Sequence, residues 1–251
     1  VDTTRYIIIF VTILTTVVAV GLTGLRQATA DKATQNEEIF NKRAILSSVS
    51  SLWPDRTVDD LSDKEVLNIF SDEMDQIILN SQGEPVEETT EYAMAEDIDM
   101  KKEKKKPKSE RVFPLFVYNY EGERYYIVSV RGNGLWDEIW GNIAFKDDLN
   151  TIVGASFDHQ GETPGLGAEI KDNPAFPRQF QGKEIFEDGD YVSVKVVKGG
   201  VKDPQHQVDG VSGATVTMDG VSDMLKNGIG YYLPYFKELR SDNSVQGLLI
   251  Q

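Results

Sequence analysis

The 251-residue chain contains no cysteine and only two histidines, His159 and His206. Without a thiol it can form no disulfide, hold no iron–sulfur cluster through thiolates, attach no haem through a CxxCH motif and bind no flavin through sulfur. Two imidazoles far apart in sequence argue against a histidine-based metal site, and both read as solvated surface residues. Basic residues are also scarce: 26 lysines and arginines stand against 41 aspartates and glutamates, for a formal charge of −15. So acidic a chain lacks the surface that phosphate backbones need, which excludes nucleic acid as the expected partner. No catalytic residue and no metal ligand set is assigned, and any redox centre must be borrowed from a cofactor.

Charge is absent altogether from Tyr6 to Leu25, twenty residues between Arg5 and Arg26. That length crosses a hydrocarbon core of ~30 Å, so residues 6–25 are expected to form a transmembrane helix. The rival is a cleaved signal peptide, but its apolar region usually spans only ~7–15 residues, and Ala28-Thr29-Ala30 is a weak cleavage signal. Orientation does not follow from charge, because Arg5 stands alone before the span while Arg26 and Lys32 follow it.

Residues 26–110 read as a helical stalk and a charged connecting region. A polar helix is expected from Asp31 to Val49, with Ile39, Phe40, Ala44 and Ile45 on one side. Ser62-Asp63-Lys64-Glu65 has the form of a capping box, and Val66, Phe70, Met74, Ile77 and Ile78 extend the helix after it. Between Glu65 and Asp99 there are eleven acidic residues and no basic one, and six lysines follow within 101–108. Such opposed charge with few aromatics reads as a solvated loop or linker, with a docking site for a partner or for anionic lipid headgroups as alternatives.

Beyond Arg111 short β-rich runs predict strands at Val112–Tyr118, Arg124–Val130, Ile139–Phe145, Ile152–Phe157 and Tyr191–Val197. A short helical piece is expected within Asn173–Phe180 and a final helix from about Thr217 to Lys237. The fold class is α+β: after the transmembrane helix, a domain at 111–240 with a mostly antiparallel sheet and packed helices, then a C-terminal tail at 241–251.

Two loops carry the chemistry. In Asp209-Gly210-Val211-Ser212-Gly213-Ala214-Thr215-Val216-Thr217, the small residues Ser212, Gly213 and Ala214 let backbone approach a phosphate, and glycine permits a nest of N–H groups. Val221, Met224, Leu225 and Ile229 place a helix after the loop, with Thr217 as its expected N-cap and its N-terminus toward the anion. The second loop is Glu162-Thr163-Pro164-Gly165-Leu166-Gly167. Its glycines let backbone pass close to a flat ligand, Glu162 and Thr163 can hydrogen-bond ring or ribityl atoms, and Leu166 can pack on a ring face. Trp136, in Gly132-Asn133-Gly134-Leu135-Trp136, can cover the same ligand or fill the core.

The Asp209–Thr217 run resembles the attachment loop of proteins that carry FMN as a threonyl phosphodiester. Together with Gly132–Trp136, Gly161–Gly167 and Lys195–Gly200, after one N-terminal span, it resembles the C subunit family of the Na+-translocating NADH:quinone oxidoreductase. The resemblance implies covalent FMN on Thr215, attached by a flavin transferase that uses FAD and magnesium. This agrees with the residues, since a threonine hydroxyl is a weak nucleophile and the loop offers no adjacent base beyond Asp209. It further implies an electron-carrying subunit of a bacterial inner-membrane complex, single-pass, with its soluble domain in the periplasm. Electrons would pass from an iron–sulfur centre in the membrane subunits to a second covalent FMN on the B subunit. The G subunit of the Rnf complex shares both loops, and Asn133-Gly134-Leu135-Trp136 favours the C subunit of the quinone reductase. A free-standing membrane-tethered flavoprotein and a cofactor-free adaptor are the other readings. The segment 81–108 matches no family motif, and His159 stands where a different polar residue is expected.

Overall fold

The sheet that organises the chain is six-stranded, antiparallel throughout and covered on both faces. The structure, a computed structural model, describes residues 3–87, 89 and 91–249. Its elements in chain order are helix α1 (Thr3–Ser47), helix α2 (Asp63–Asp72), strands β1 (Met74–Leu79) and β2 (Pro85–Val86), and a one-turn helix α3 (Met100–Glu103). Strands β3 (Phe113–Tyr120), β4 (Glu123–Asn133), β5 (Glu138–Phe145) and β6 (Ile152–His159) follow, then short helices α4 (Glu169–Asp172) and α5 (Ala175–Arg178). Small strands β7 (Phe186–Glu187), β8 (Asp190–Tyr191), β9 (Lys195–Val197) and β10 (Gln207–Asp209) lead to helices α6 (Thr215–Gly230) and α7 (Leu233–Leu249).

The chain divides into two units, Val1–Asn41 and Lys42–Gln251. The first is helical, and its apolar stretch has a mean hydropathy of 2.4 over eighteen residues, long and apolar enough to cross a membrane. Its threonines suit that setting: the hydroxyls of Thr15 and Thr16 donate to the carbonyls of Val11 and Thr12 one turn earlier. A hydroxyl satisfied by its own helix needs no water.

In the second unit the strand order is β2-β1-β3-β4-β5-β6. Six successive residues of β3, Phe113 to Tyr118, are buried, because material covers both faces of the sheet and leaves no polar side for alternation. One face packs Val117, Val128, Ile143 and Phe145 against Met218, Val221, Leu225 and Ile229 of α6 and Phe236 of α7. Tyr232 seals that core, its one hydroxyl proton shared between the carbonyl oxygens of Ser129 at 2.9 Å and Pro114 at 3.0 Å, while burial pushes its phenol far above the usual range. The other face packs Phe116, Tyr118, Ile127 and Val153 against Ile45, Leu46, Val49, Val66 and Phe70.

The expected antiparallel sheet and the strands over β3 to β6 are present, and the capping box is formed: Ser62 Oγ accepts from Glu65 N, and Glu65 Oε2 accepts from Ser62 N. Other expectations are corrected. The helix starting there stops at Asp72, and Met74, Ile77 and Ile78 belong to β1, where pairing with β3 (Ile78 opposite Pro114) outweighs a helical spacing that a strand fits as well. The Tyr191–Val197 strand is broken at Ser193, whose φ of 63° lies in the left-handed region. The final helix is two helices, separated after Gly230, with Pro234 in the first turn of α7, where its missing N–H costs little. Within the 241–251 tail α7 continues to Leu249, and the last two residues lie outside the described ones.

The acidic and lysine-rich segment is no solvated linker. Tyr92, Ala95 and Ile98 are buried in the second core, and Glu103 at the end of α3 is 1% exposed. Few apolar residues do this work, which is why composition alone points the other way. The histidines are not solvated either: His206 is buried with Nδ1 3.0 Å from Asp203 Oδ2, and His159 Nδ1 accepts from Glu162 N at 3.1 Å.

Candidate functional site

Helix α6 lies close against β4, and this contact fixes where its first turn sits. A Cβ on Gly220 would come within 2.2 Å of the Asn133 carbonyl oxygen, and one on Gly132 within 2.7 Å of Met224 Cβ. Only hydrogen at these positions permits the approach. The helix begins at Thr215, two residues before its expected start, with Ala214 as N-cap and no side chain capping it. Its first-turn N–H groups, partly positive through the helix dipole, therefore have no side-chain acceptor among the described residues.

Thr217 is not the N-cap. Its hydroxyl, 1% exposed, donates to Glu162 Oε2 at 2.7 Å. The other carboxylate oxygen of Glu162, itself 5% exposed, accepts from Trp136 N at 3.0 Å. One buried carboxylate thus ties three segments: the turn after β4, the 162–167 loop and the first turn of α6. Glycines make room for it, since a Cβ on Gly134 or Gly167 would stand 2.3 or 2.2 Å from its oxygens. Sequence reasoning gives Glu162 a ligand-facing role, whereas its oxygens are engaged by the protein.

Around this buried knot the remaining candidates are exposed. Trp136 is 69% exposed and does not fill the core; its indole Nε1 donates to Thr163 Oγ1 at 3.1 Å. Leu166 and Leu135 stand beside it, also exposed. Gly165 and Gly213 have φ of 75° and 82°, and a side chain on Gly213 would meet Leu166. Ser212 and Thr215 present hydroxyls without a hydrogen-bond partner among the described residues, while Ala214 is buried beneath them. Contacts through Glu162, Thr163 and Leu166 thus bring the turn of Trp136, the 162–167 loop and the start of α6 together.

Sequence reasoning misses the other wall. A cavity of about 280 Å³ opens beside Thr215, lined by Val196, Val197, Lys198, Gly199 and Met218 among others. The Lys195–Gly200 stretch is recognised only through resemblance, since nothing local marks it as a lining. Gln179 is missed as well: its side-chain amide donates to Asp209 O and accepts from Asp209 N, as a neighbouring strand would. No signal in the sequence shows this pairing, which joins residues thirty apart.

The donor set fits an anionic ester with a flat apolar body. An uncapped helix N-terminus and the Gly213 turn suit a phosphate on Thr215 Oγ1. Lys198 adds a positive charge nearby, and Trp136, Leu166 and the valine-lined cavity offer surfaces to a ring.

The comparisons with known proteins bear on the same region. Residues 134–230 match the family model described as an FMN-binding domain. The chain is 49% identical over 96 residues to the C subunit of the Na(+)-translocating NADH-quinone reductase of Vibrio anguillarum, covering 38% of this chain and 37% of that protein. The first curated relatives are thus matched over less than half of their own length. A longer alignment, 29% identical over 228 residues, covers 83% of this chain and 81% of the same subunit from Vibrio campbellii. The crystal structure of the C subunit from Parabacteroides distasonis is similar at a TM-score of 0.69 and 37% identity, over 81% of this chain and 94% of that one. With that structure matched over nearly its whole length, the chain belongs to the C subunit family of the Na(+)-translocating NADH-quinone reductases.

Proposed function

We propose that this chain carries FMN esterified through its phosphate to Thr215 Oγ1, and that it relays electrons within a membrane-bound NADH:quinone oxidoreductase complex that translocates Na+. The observation that carries the proposal is the exposed hydroxyl of Thr215 at the uncapped start of α6, beside loops already braced by Glu162. Bound there, FMN supplies reversible uptake and release of electrons. The chain's own residues hold and orient. The first-turn N–H groups and Lys198 would neutralise the ester phosphate, and Ser212 and Thr163 offer hydroxyls. Trp136, Leu166, Gly165 and Gly167 would border the ring, while Glu162 and Thr217 keep these segments in register. No substrate pocket is needed for such a relay, and a covalent link keeps the cofactor local without tight contacts.

The ester would be made by a flavin transferase using FAD, because a threonine hydroxyl is a weak nucleophile and the loop offers no adjacent base beyond Asp209. Partners would be the flavin-bearing B subunit and the iron–sulfur-bearing membrane subunits. Residues 6–25 would anchor the chain in the bacterial inner membrane, and the unit from Lys42 onward, whose sheet takes in β1 and β2 as well as the strands of the flavin domain, would lie in the periplasm. The missing cysteine makes that topology easy to test. A single Asp172→Cys variant in whole cells reacts with a membrane-impermeant maleimide if the domain is periplasmic, and is protected if it is cytoplasmic.

The deciding experiment is the mass of the acid-denatured chain purified from cells that contain the transferase. An added FMN less one water, mapped to Thr215, is the expected result. An unmodified Thr215 would sink the covalent reading.

A further inference from the structure

The lysine-rich run has no part in holding the flavin, yet it is built with care. Glu103, 1% exposed, accepts from Val112 N at 3.0 Å and pairs with Lys106 Nζ at 2.6 Å. Lys106 also reaches Glu91 at 2.6 Å and lies over the Tyr92 ring. Arg111 donates to the carbonyl oxygens of Lys104 and Lys106 and to the Tyr231 hydroxyl. A buried carboxylate and a guanidinium bonded to two carbonyls fix the backbone of a segment whose charge alone would leave it mobile.

Its position is equally defined. Lys104 Nζ donates to Asn133 Oδ1 at 2.8 Å, and Lys101 and Lys104 lie within 3.6 Å of Glu138. Asn133 and Glu138 bracket the turn that carries Trp136, so the run stands beside the exposed rim of the site. Lys101 and Lys102 keep 55% and 65% of their side chains exposed, and Lys105 and Lys108 are exposed as well. On a chain of net charge −15 this is a local reversal of sign, held rigid next to the edge where electrons would leave or enter.

We propose that the exposed lysines of residues 101–108 form the docking surface for an acidic face of a protein partner, a neighbouring redox subunit of the assembly. Complementary charge orients a weak encounter and sets its rate, which suits a contact that brings two redox groups together without a large apolar interface. The chain's own acidity disfavours a second copy of itself as partner. The proposal rests on the electron-relay reading, but its test can fail independently.

The assembled complex, in detergent and again in vesicles containing anionic phospholipid, would be treated with a lysine-acylating reagent and with a zero-length carboxyl–amine cross-linker. Lys102 and Lys105 are expected to react at least tenfold more slowly in both preparations than in the separately purified chain. They are also expected to cross-link to aspartate or glutamate of another subunit. Lys102→Glu with Lys105→Glu should abolish the cross-links and leave flavin on Thr215, read by mass on the same sample, because neither side chain touches the site. Protection only in the anionic vesicles would assign the patch to lipid headgroups and overturn the proposal, and full reactivity in both would make it a solvated face. A chain lacking flavin would instead count against the relay reading, whatever the lysines do.

Discussion

The two loops that flank Thr215 are held in opposite ways. The 162–167 loop turns its one charged side chain inward, where Glu162 accepts two hydrogen bonds and glycines leave space for nothing larger. The 209–215 loop is held by main chain: Gly210 N donates to Val197 O, Ala214 N to Val211 O, and Gln179 pairs with the backbone of Asp209. Its hydroxyls are left to solvent. A hydroxyl proposed to take an ester cannot also serve as a brace, and here the bracing carboxylate sits in the neighbouring loop.

That contrast can be broken at several points, beginning with the largest effect. Thr215→Ala should remove all covalent flavin, measured by protein mass and by absorbance of the denatured chain, with the melting temperature nearly unchanged because the side chain is exposed. Glu162→Ala strands the buried Thr217 hydroxyl and the part-buried Trp136 N–H and should cost roughly 2–4 kcal/mol in denaturant unfolding. Glu162→Gln, able to accept from Trp136 N and donate to Thr217, should recover most of that loss. Gly167→Ala pushes a methyl group into the carboxylate and should destabilise by about 1–3 kcal/mol. Gln179→Ala loses two half-exposed backbone bonds, about 1 kcal/mol, and should slow flavin attachment more than it lowers stability. Trp136→Ala should change stability by less than about 0.5 kcal/mol and still alter flavin fluorescence in the loaded chain. If Gln179→Ala proved more destabilising than Glu162→Ala, the division between brace and reactive loop would be wrong.

Legibility in the sequence follows the range of the interactions. The capping box at Ser62 and Glu65 spans three residues and is readable, as are β3 to β6, whose β-branched and aromatic runs are bounded by turns. The proposed site residues are readable because two compact motifs single out ten of the eleven, and the 132–136 stretch adds Trp136. What each does is not. Thr217 has the right chemistry for an N-cap, but its hydroxyl goes to Glu162, fifty-five residues away. The segment before Arg111 misleads because its burial rests on Tyr92, Ala95, Ile98 and Glu103, four residues scattered among charges. Strand β1 misleads because short apolar runs fit two periods, and only its partner decides between them.

The glycine-to-backbone contact between α6 and β4 also governs how this chain can change over time. Because Gly220 and Gly132 accept no added atom, the register of helix on sheet cannot drift by small steps of side-chain substitution. Thr215 inherits its coordinates from the sheet, so insertions or charge changes on the surface can accumulate without moving it. A designer wishing to relocate Thr215 would have to rebuild the helix–sheet contact rather than the loop.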